Sequence, residues 1–267
     1  MEMNITSARI PEIAAEFRRQ EPYGYATVGG LFDRSILRRV AREVESHLDR
    51  CPPEEDIYAS HRKYRLSRLE DMPEHTREFI AYLNSPAFLS VLSEITGIAD
   101  LHPDPELRGG GIHAIGRGGY LKVHTDFNWH RALSMHRRLN LLVYLNENWD
   151  AGWEGNIELW SEDAKRRIFS LPPELGNALL FETNDISYHG HPDPLACPEG
   201  TFRKSIALYY YTATRPHAGI VFGRTEMTNF VERPSERFER DKSRRLRHKL
   251  QLRVKKIAHW LKPRRDA

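Results

Sequence analysis

Cysteine is close to absent from this chain, with two in 267 residues, Cys51 and Cys197. They lie far apart, each beside a proline, and fit neither a zinc-ligand spacing nor a disulfide framework. That usage points to a reducing, cytoplasmic setting. No apolar run approaches the ~20 residues of a membrane-spanning helix. The opening stretch MEMNITSARIPEIAAEFRRQ has early acidic residues and no apolar centre, so it does not read as a secretory leader. Net charge is also scant, +3 from 40 basic and 37 acidic residues. What surplus there is sits in the C-terminal ERFERDKSRRLRHKLQLRVKKIAHWLKPRRDA, so charge says nothing about a partner of the body of the chain. Internal repeats and low-complexity segments are missing, which excludes solenoids and tethers. A hydrophobic share of 40% and a charged share of 29% suit one large domain, or one with appendages, that buries a sizeable core.

The first hundred residues read as mostly helical. Ile10, Ile13 and Phe17 recur at helical spacing, and Asp33 is a candidate N-cap for a helix with Ile36, Leu37, Val40, Val44 and Leu48 on one face. MPEHTREFIAYLNSPAFLSVLSEITGI gives two more helices broken near Asn84-Ser85-Pro86, and the polar CPPEEDIYASHRKYRLSRLEDMP before them reads as a mobile loop. From about Leu107 the texture becomes short apolar runs between Gly, Asn, Asp and Pro. Strands are expected over 111–115, 120–124, 139–145, 156–160, 167–171, 178–183, 187–189 and 205–212, which suggests a sandwich or barrel. The expected class is α+β: a helical support over 1-106, a β core over 107-214 and a basic extension over 215-267, with the helices packed on one sheet and no linker marking a boundary.

The chemistry starts in YLKVHTDFNWH. Residues i and i+2 of a strand share a face, so His124 and Asp126 can aim at one point, as two ligands of a metal do. A histidine at a strand end is as readily a solvated or hydrogen-bonded residue, so the pair needs a third ligand. FETNDISYHGHP offers His189, with His191 as its competitor; His191 beside Pro192 also reads as a solvated turn residue. Two histidines and one carboxylate cover one face of an octahedral iron and leave open positions for a chelating co-substrate and dioxygen. Arg203 starts a later strand, with Ser205 two residues on along the same face. A guanidinium fork and a hydroxyl suit the distal carboxylate of 2-oxoglutarate, although a surface arginine paired with an acid has the same look.

Taken in order, GGGIHAIGRGGYLKVHTD, RRLNLLVYLN, WEGNIELW, LGNALLFE, YHGHP and FRKSIALYYYT resemble the double-stranded β-helix (jelly-roll, cupin-like) core of the iron(II)/2-oxoglutarate-dependent oxygenases, in the prolyl-4-hydroxylase-like branch. The resemblance runs from Arg108 to Tyr211 and is silent on the N-terminal hundred residues and the C-terminal fifty. It implies His124, Asp126 and His189 as ligands of Fe(II), and Arg203 as the partner of the 2-oxoglutarate C5 carboxylate with Ser205 beside it. It places Asn140 toward the co-substrate. Tyr120, four residues before His124, would face the same pocket. The Gly152-Trp153-Glu154-Gly155 stretch matches the family only loosely. With dioxygen, the implied outcome is oxidation of a C–H bond, foremost hydroxylation, coupled to conversion of 2-oxoglutarate to succinate.

The residues after Asp126, namely Asn128, Trp129, His130, Arg131 and Arg137, are expected to edge the pocket mouth and to suit an anionic or amino-acid-like group; Arg137 and Arg138 read equally well as outward residues before a strand. A small-molecule substrate is the first expectation, a residue of a protein the second, and a cupin-type metal-binding barrel without 2-oxoglutarate chemistry the third. Tyr209-Tyr210-Tyr211 is expected to alternate between core and surface. Leu246, Leu250, Val254, Ile257 and Leu261 fall at helical spacing among basic residues. Such a helix can lie on an anionic surface or pack its apolar stripe on its own domain.

Overall fold

The computed structural model describes residues 5–56, 60–215 and 223–233. The expected basic C-terminal helix lies outside them. Among the described residues four α-helices, α1 (Ile10–Arg19), α2 (Arg34–Glu45), α3 (Glu74–Leu83) and α4 (Pro86–Thr96), all belong to the N-terminal part. The strands are β1 (Tyr25–Thr27), β2 (Pro53–Asp56), β3 (Ser60–Leu66), β4 (His102–Pro103), β5 (Gly111–Thr125), β6 (Trp129–His130), β7 (Met135–Tyr144), β8 (Ile157–Trp160), β9 (Arg167–Leu171), β10 (Ala178–Glu182), β11 (His189–His191), β12 (Phe202–Thr212) and β13 (Asn229–Phe230).

The helices form where periodicity and caps coincide. α1 buries Ile10, Ile13, Ala14 and Phe17 along one face. Asp33 caps α2 by accepting from the Ser35 amide at 2.6 Å. Ser85 caps α4, with Pro86 at its first position and Gly97 in the left-handed conformation at its end.

The strands pair in the order β1-β10-β7-β12-β5-β11-β8-β9 in one curled antiparallel sheet, the jelly-roll core expected from the sequence. Two expected strands, 111–115 and 120–124, are one fifteen-residue strand, β5, which pairs with β12 through its first half and with β11 near its end. The first hundred residues are less helical than expected. β1 extends the sheet beyond β10. The segment expected as a mobile loop carries a hairpin, β2 and β3, and β3 pairs with β5 from Leu66↔Ile112 to Ser60↔Leu121.

Strand β12 shows how the core is divided. Its even residues Ile206, Leu208 and Tyr210 belong to the large cluster that the helices cover, and Tyr210 donates its hydroxyl to the Leu83 carbonyl at 3.0 Å. Its odd residues Arg203, Ser205, Ala207, Tyr209 and Tyr211 face the barrel interior. The three tyrosines therefore alternate between two interiors, and none reaches the surface.

Candidate metal centre

His124, Asp126 and His189 converge at one end of the barrel. Their candidate ligand atoms all lie within 4.8 Å of one another. His124 and His189 are cross-strand partners on β5 and β11, with ring centroids 4.3 Å apart. The Asp126 carboxylate approaches His124 Nε2 at 3.6 Å through Oδ1 and His189 Nε2 at 3.3 Å through Oδ2. Gly190 permits this approach: a Cβ there would stand 2.8 Å from the Leu121 carbonyl oxygen and 2.9 Å from that of Lys122.

The surrounding hydrogen bonds prepare both rings to bind a metal. His124 Nδ1 lies 2.7 Å from the Lys122 carbonyl, and His189 Nδ1 lies 2.9 Å from the Ser187 carbonyl. A carbonyl only accepts, so each Nδ1 carries the proton and each Nε2 keeps its lone pair toward the cluster. Burial, reinforced by His189, lowers the His124 pKa and favours the neutral, ligating form. Burial would raise the Asp126 pKa, but Arg137 and the two histidines hold it well below the usual carboxylate range. Two imidazoles and a carboxylate in a buried cluster are a donor set that fits iron(II).

Asp126 is itself fixed by two donors. Arg137 Nη2 and Asn140 Nδ2 each reach its Oδ2 at 2.7 Å. Asn140 Oδ1 accepts from Arg137 Nε at 2.9 Å and from Thr183 Oγ1 at 3.0 Å. Arg137 is 0% exposed and lies over the Tyr209 ring at 3.4 Å. It was expected at the pocket mouth or pointing outward; it does neither. Tyr210 pairs with Leu139 and Tyr211 with Arg137, so Arg138 is the extra residue of a bulge in β7. The bulge turns Arg137 to the side of Asn140 and Tyr209.

The interior continues toward Arg203. Its Nε donates to the Gly155 carbonyl at 2.6 Å and its Nη2 to Tyr144 Oη at 3.2 Å. Gly155 has φ +88°, and a Cβ there would come within 3.1 Å of Arg203 Cδ. A guanidinium has five N–H donors, so these two bonds leave others for an anion. Ser205, on the same face, is buried and pairs with Tyr144 across the sheet. Tyr120 is half-buried. The register steps from His189↔His124 to His191↔Leu121, and this bulge in β5 breaks the alternation that placed Tyr120 beside His124.

The loop after Asp126 is tied down. Asn128 is fully buried and donates to Asp185 Oδ1 and the Gly223 carbonyl, both at 2.8 Å, which removes it from the expected pocket edge. Trp129 is half-buried with Arg224 over its ring at 3.7 Å, and Arg131 is exposed. His130 is buried 3.5 Å from Asp104. His191 is buried too, at 2% exposure, and is not a solvated turn residue. Sequence reading missed Phe230, whose ring stands 5.1 Å from that of His124, and Phe181, 4.7 Å from His189. β13 carries Phe230 back across the end of β5 from beyond the core, and two residues give no periodic signal.

Residues 110–211 match the 2OG-Fe(II) oxygenase superfamily, whose members use Fe(II), 2-oxoglutarate and dioxygen. Over 210 residues the chain is 25% identical to prolyl 3,4-dihydroxylase OGFOD1 of Ostreococcus tauri, a match covering 73% of this chain and 39% of that protein. The chain thus spans well under half of that relative's length. Its fold is similar to a Pseudomonas putida prolyl-4-hydroxylase, at TM-score 0.54 and 15% identity over 76% of this chain and 100% of that one. It is similar also to a Trichoplax adhaerens prolyl hydroxylase solved with a hypoxia inducible factor oxygen degradation domain peptide, at TM-score 0.55 and 17% identity over 77% and 91%. Among the described residues no helix is long and apolar enough to cross a membrane. Over residues 110–211 the chain is similar to the 2OG-Fe(II) oxygenase superfamily, its curled sheet has the fold of the solved prolyl hydroxylases, and two histidines and an aspartate gather at the end of that sheet.

Proposed function

We propose that this chain is an iron(II)- and 2-oxoglutarate-dependent hydroxylase whose substrate is a residue of a polypeptide, with proline the first candidate. The observation that carries the chemistry is the pairing, on one barrel interior, of a metal-ready triad with a buried arginine that has donors to spare. In this reading His124, Asp126 and His189 hold the iron, Arg203 holds the C5 carboxylate with Ser205 alongside, and Asn140 and Arg137 set the plane of Asp126. The bound iron and co-substrate supply the oxidation: one atom of dioxygen enters the substrate C–H bond as hydroxyl, and the other enters succinate as 2-oxoglutarate loses carbon dioxide. The protein's own part is to orient both groups and keep water out. Buried rings of Phe181, Tyr144 and Tyr209 line that interior.

The relative of Ostreococcus tauri is a prolyl 3,4-dihydroxylase, which supports a peptide substrate over the small molecule first expected from sequence. An anaerobic iron(II) titration, with and without 2-oxoglutarate, tests the core of the reading. A weak visible charge-transfer band is expected only when both are present, and is expected to vanish in Asp126→Ala and Arg203→Ala. Iron binding without the band would instead favour a cupin-type metal barrel. Succinate release and gain of one oxygen atom by proline-containing peptides then test the substrate; turnover of free small molecules alone would return the assignment to the first expectation.

A further inference from the structure

Both ring nitrogens of His191 are buried, and neither has a hydrogen-bond partner among the described residues. Buried polar groups in folded proteins are nearly always satisfied, so a doubly orphaned imidazole points to a partner outside the chain. Its position indicates which. His191 lies two residues from His189 on β11 and so shares its face. Its neighbour Gly190 pairs with Glu158 on β8, and the chain entering β8 presents the Gly155 carbonyl to Arg203 Nε. His191 thus sits on the stretch of β11 that runs from His189 toward the segment holding Arg203, and Arg203 is the charge that acts on it most.

We propose that His191 donates a hydrogen bond to the C5 carboxylate of 2-oxoglutarate beside Arg203. The inference rests on the co-substrate reading above and adds a residue to which the family resemblance gives no role. A neutral imidazole carries one N–H and one lone pair, and a carboxylate is an acceptor for the N–H. The second nitrogen stays an acceptor. His191 thus contributes a donor where an aliphatic residue would contribute contact alone.

The test measures binding, without turnover. The full chain is loaded with Mn(II), and 2-oxoglutarate and oxalate are titrated by calorimetry. Oxalate has the chelating end and lacks the distal carboxylate. The wild type is compared with His191→Leu, His191→Phe and His191→Gln. Replacement by Leu or Phe is expected to weaken 2-oxoglutarate about tenfold to a hundredfold and to leave the affinities for Mn(II) and oxalate unchanged, and Gln, which keeps an N–H, is expected to recover part of the loss. Unchanged 2-oxoglutarate binding in the folded apolar variants would overturn the inference. So would equal losses for 2-oxoglutarate and oxalate, which would mean that His191 acts through the metal. A wild type that binds Mn(II) and oxalate yet no 2-oxoglutarate would instead overturn the co-substrate reading itself.

Discussion

Arg137 carries a full charge at 0% exposure, and its partner is the carboxylate of the candidate metal triad. Removing one member of a buried ion pair leaves the other uncompensated, at a cost of about 3–5 kcal/mol. Arg137→Met keeps much of the side-chain volume and loses the charge and all its donors. Urea unfolding of the metal-free protein is expected to show a loss of that order. Iron(II) affinity is expected to fall about tenfold to a hundredfold, as it does when groups that orient metal ligands are removed. Equal iron affinity in the variant would mean that Asn140 alone orients Asp126. The contrast with the triad shows what a sequence conceals at this scale. His124 and Asp126 are two positions apart, a spacing that reads directly as one point of aim. Arg137 is aimed by a one-residue bulge opposite Tyr210 and Tyr211, and no composition or periodicity marks which of two adjacent arginines the bulge will turn inward. The fate of His191 was hidden likewise, because burial of the short β11 depends on β5 and β8 on either side of it.

Helix α3 begins without a side-chain cap of its own, since Pro73 holds its N-cap position. Glu43 of α2 serves instead: its carboxylate accepts from the amides of His75 and Thr76 at 3.1 and 2.8 Å, and from Thr76 Oγ1 at 2.8 Å. His75 Nδ1 adds a contact at 2.5 Å. Burial works against the charge, but these hydrogen bonds hold the Glu43 pKa below its ordinary value. A carboxylate whose pKa is depressed by folding stabilises the fold fully above its unfolded pKa, about 4.3, and that contribution fades as pH falls through the folded value. Glu43→Ala is therefore expected to cost about 1–2 kcal/mol near neutrality. The gap between variant and wild type should close as urea unfolding is repeated toward about pH 3. A pH-independent gap would assign the loss to packing. α2 and α3 were both legible from their apolar spacing, and so was the Asp33 cap, because those signals are local. The Glu43 cap spans about thirty residues, and the pairing of β3 with β5 about fifty; such contacts leave no trace in either segment alone. This is why CPPEEDIYASHRKYRLSRLEDMP reads as a loop and folds as a hairpin.

Helices and barrel share one apolar interior. The large core cluster runs from Ile10, Ile13 and Phe17 of α1 through Leu37, Val40 and Val44 of α2 and Phe79, Phe88 and Leu92 of α3 and α4. It ends on Leu141, Val143, Leu180, Leu208 and Tyr210, the helix-facing side of β7, β10 and β12. A boundary between 1-106 and 107-214 would cut through this cluster and expose one face of the sheet. We therefore propose that the two segments fold as one cooperative unit, a claim the tryptophans make testable. Four of the five, Trp129, Trp149, Trp153 and Trp160, belong to the β core and none to α1–α4, so with Trp260→Phe as background tryptophan fluorescence reports the barrel, while far-ultraviolet circular dichroism is dominated by the helices. In one unit, both signals unfold with the same midpoint in denaturant. Phe88 is 0% exposed, and its ring packs tilted against those of Phe32 and Tyr82, with centroids 6.0 and 5.8 Å away. Phe88→Ala is expected to cost about 3–5 kcal/mol and to shift the fluorescence midpoint as far as the dichroism midpoint, although the nearest tryptophan, Trp129, is about forty residues away along the chain. A dichroism midpoint that moved alone would show the helices to be a separable layer, and the barrel, with its metal triad, would then stand without them.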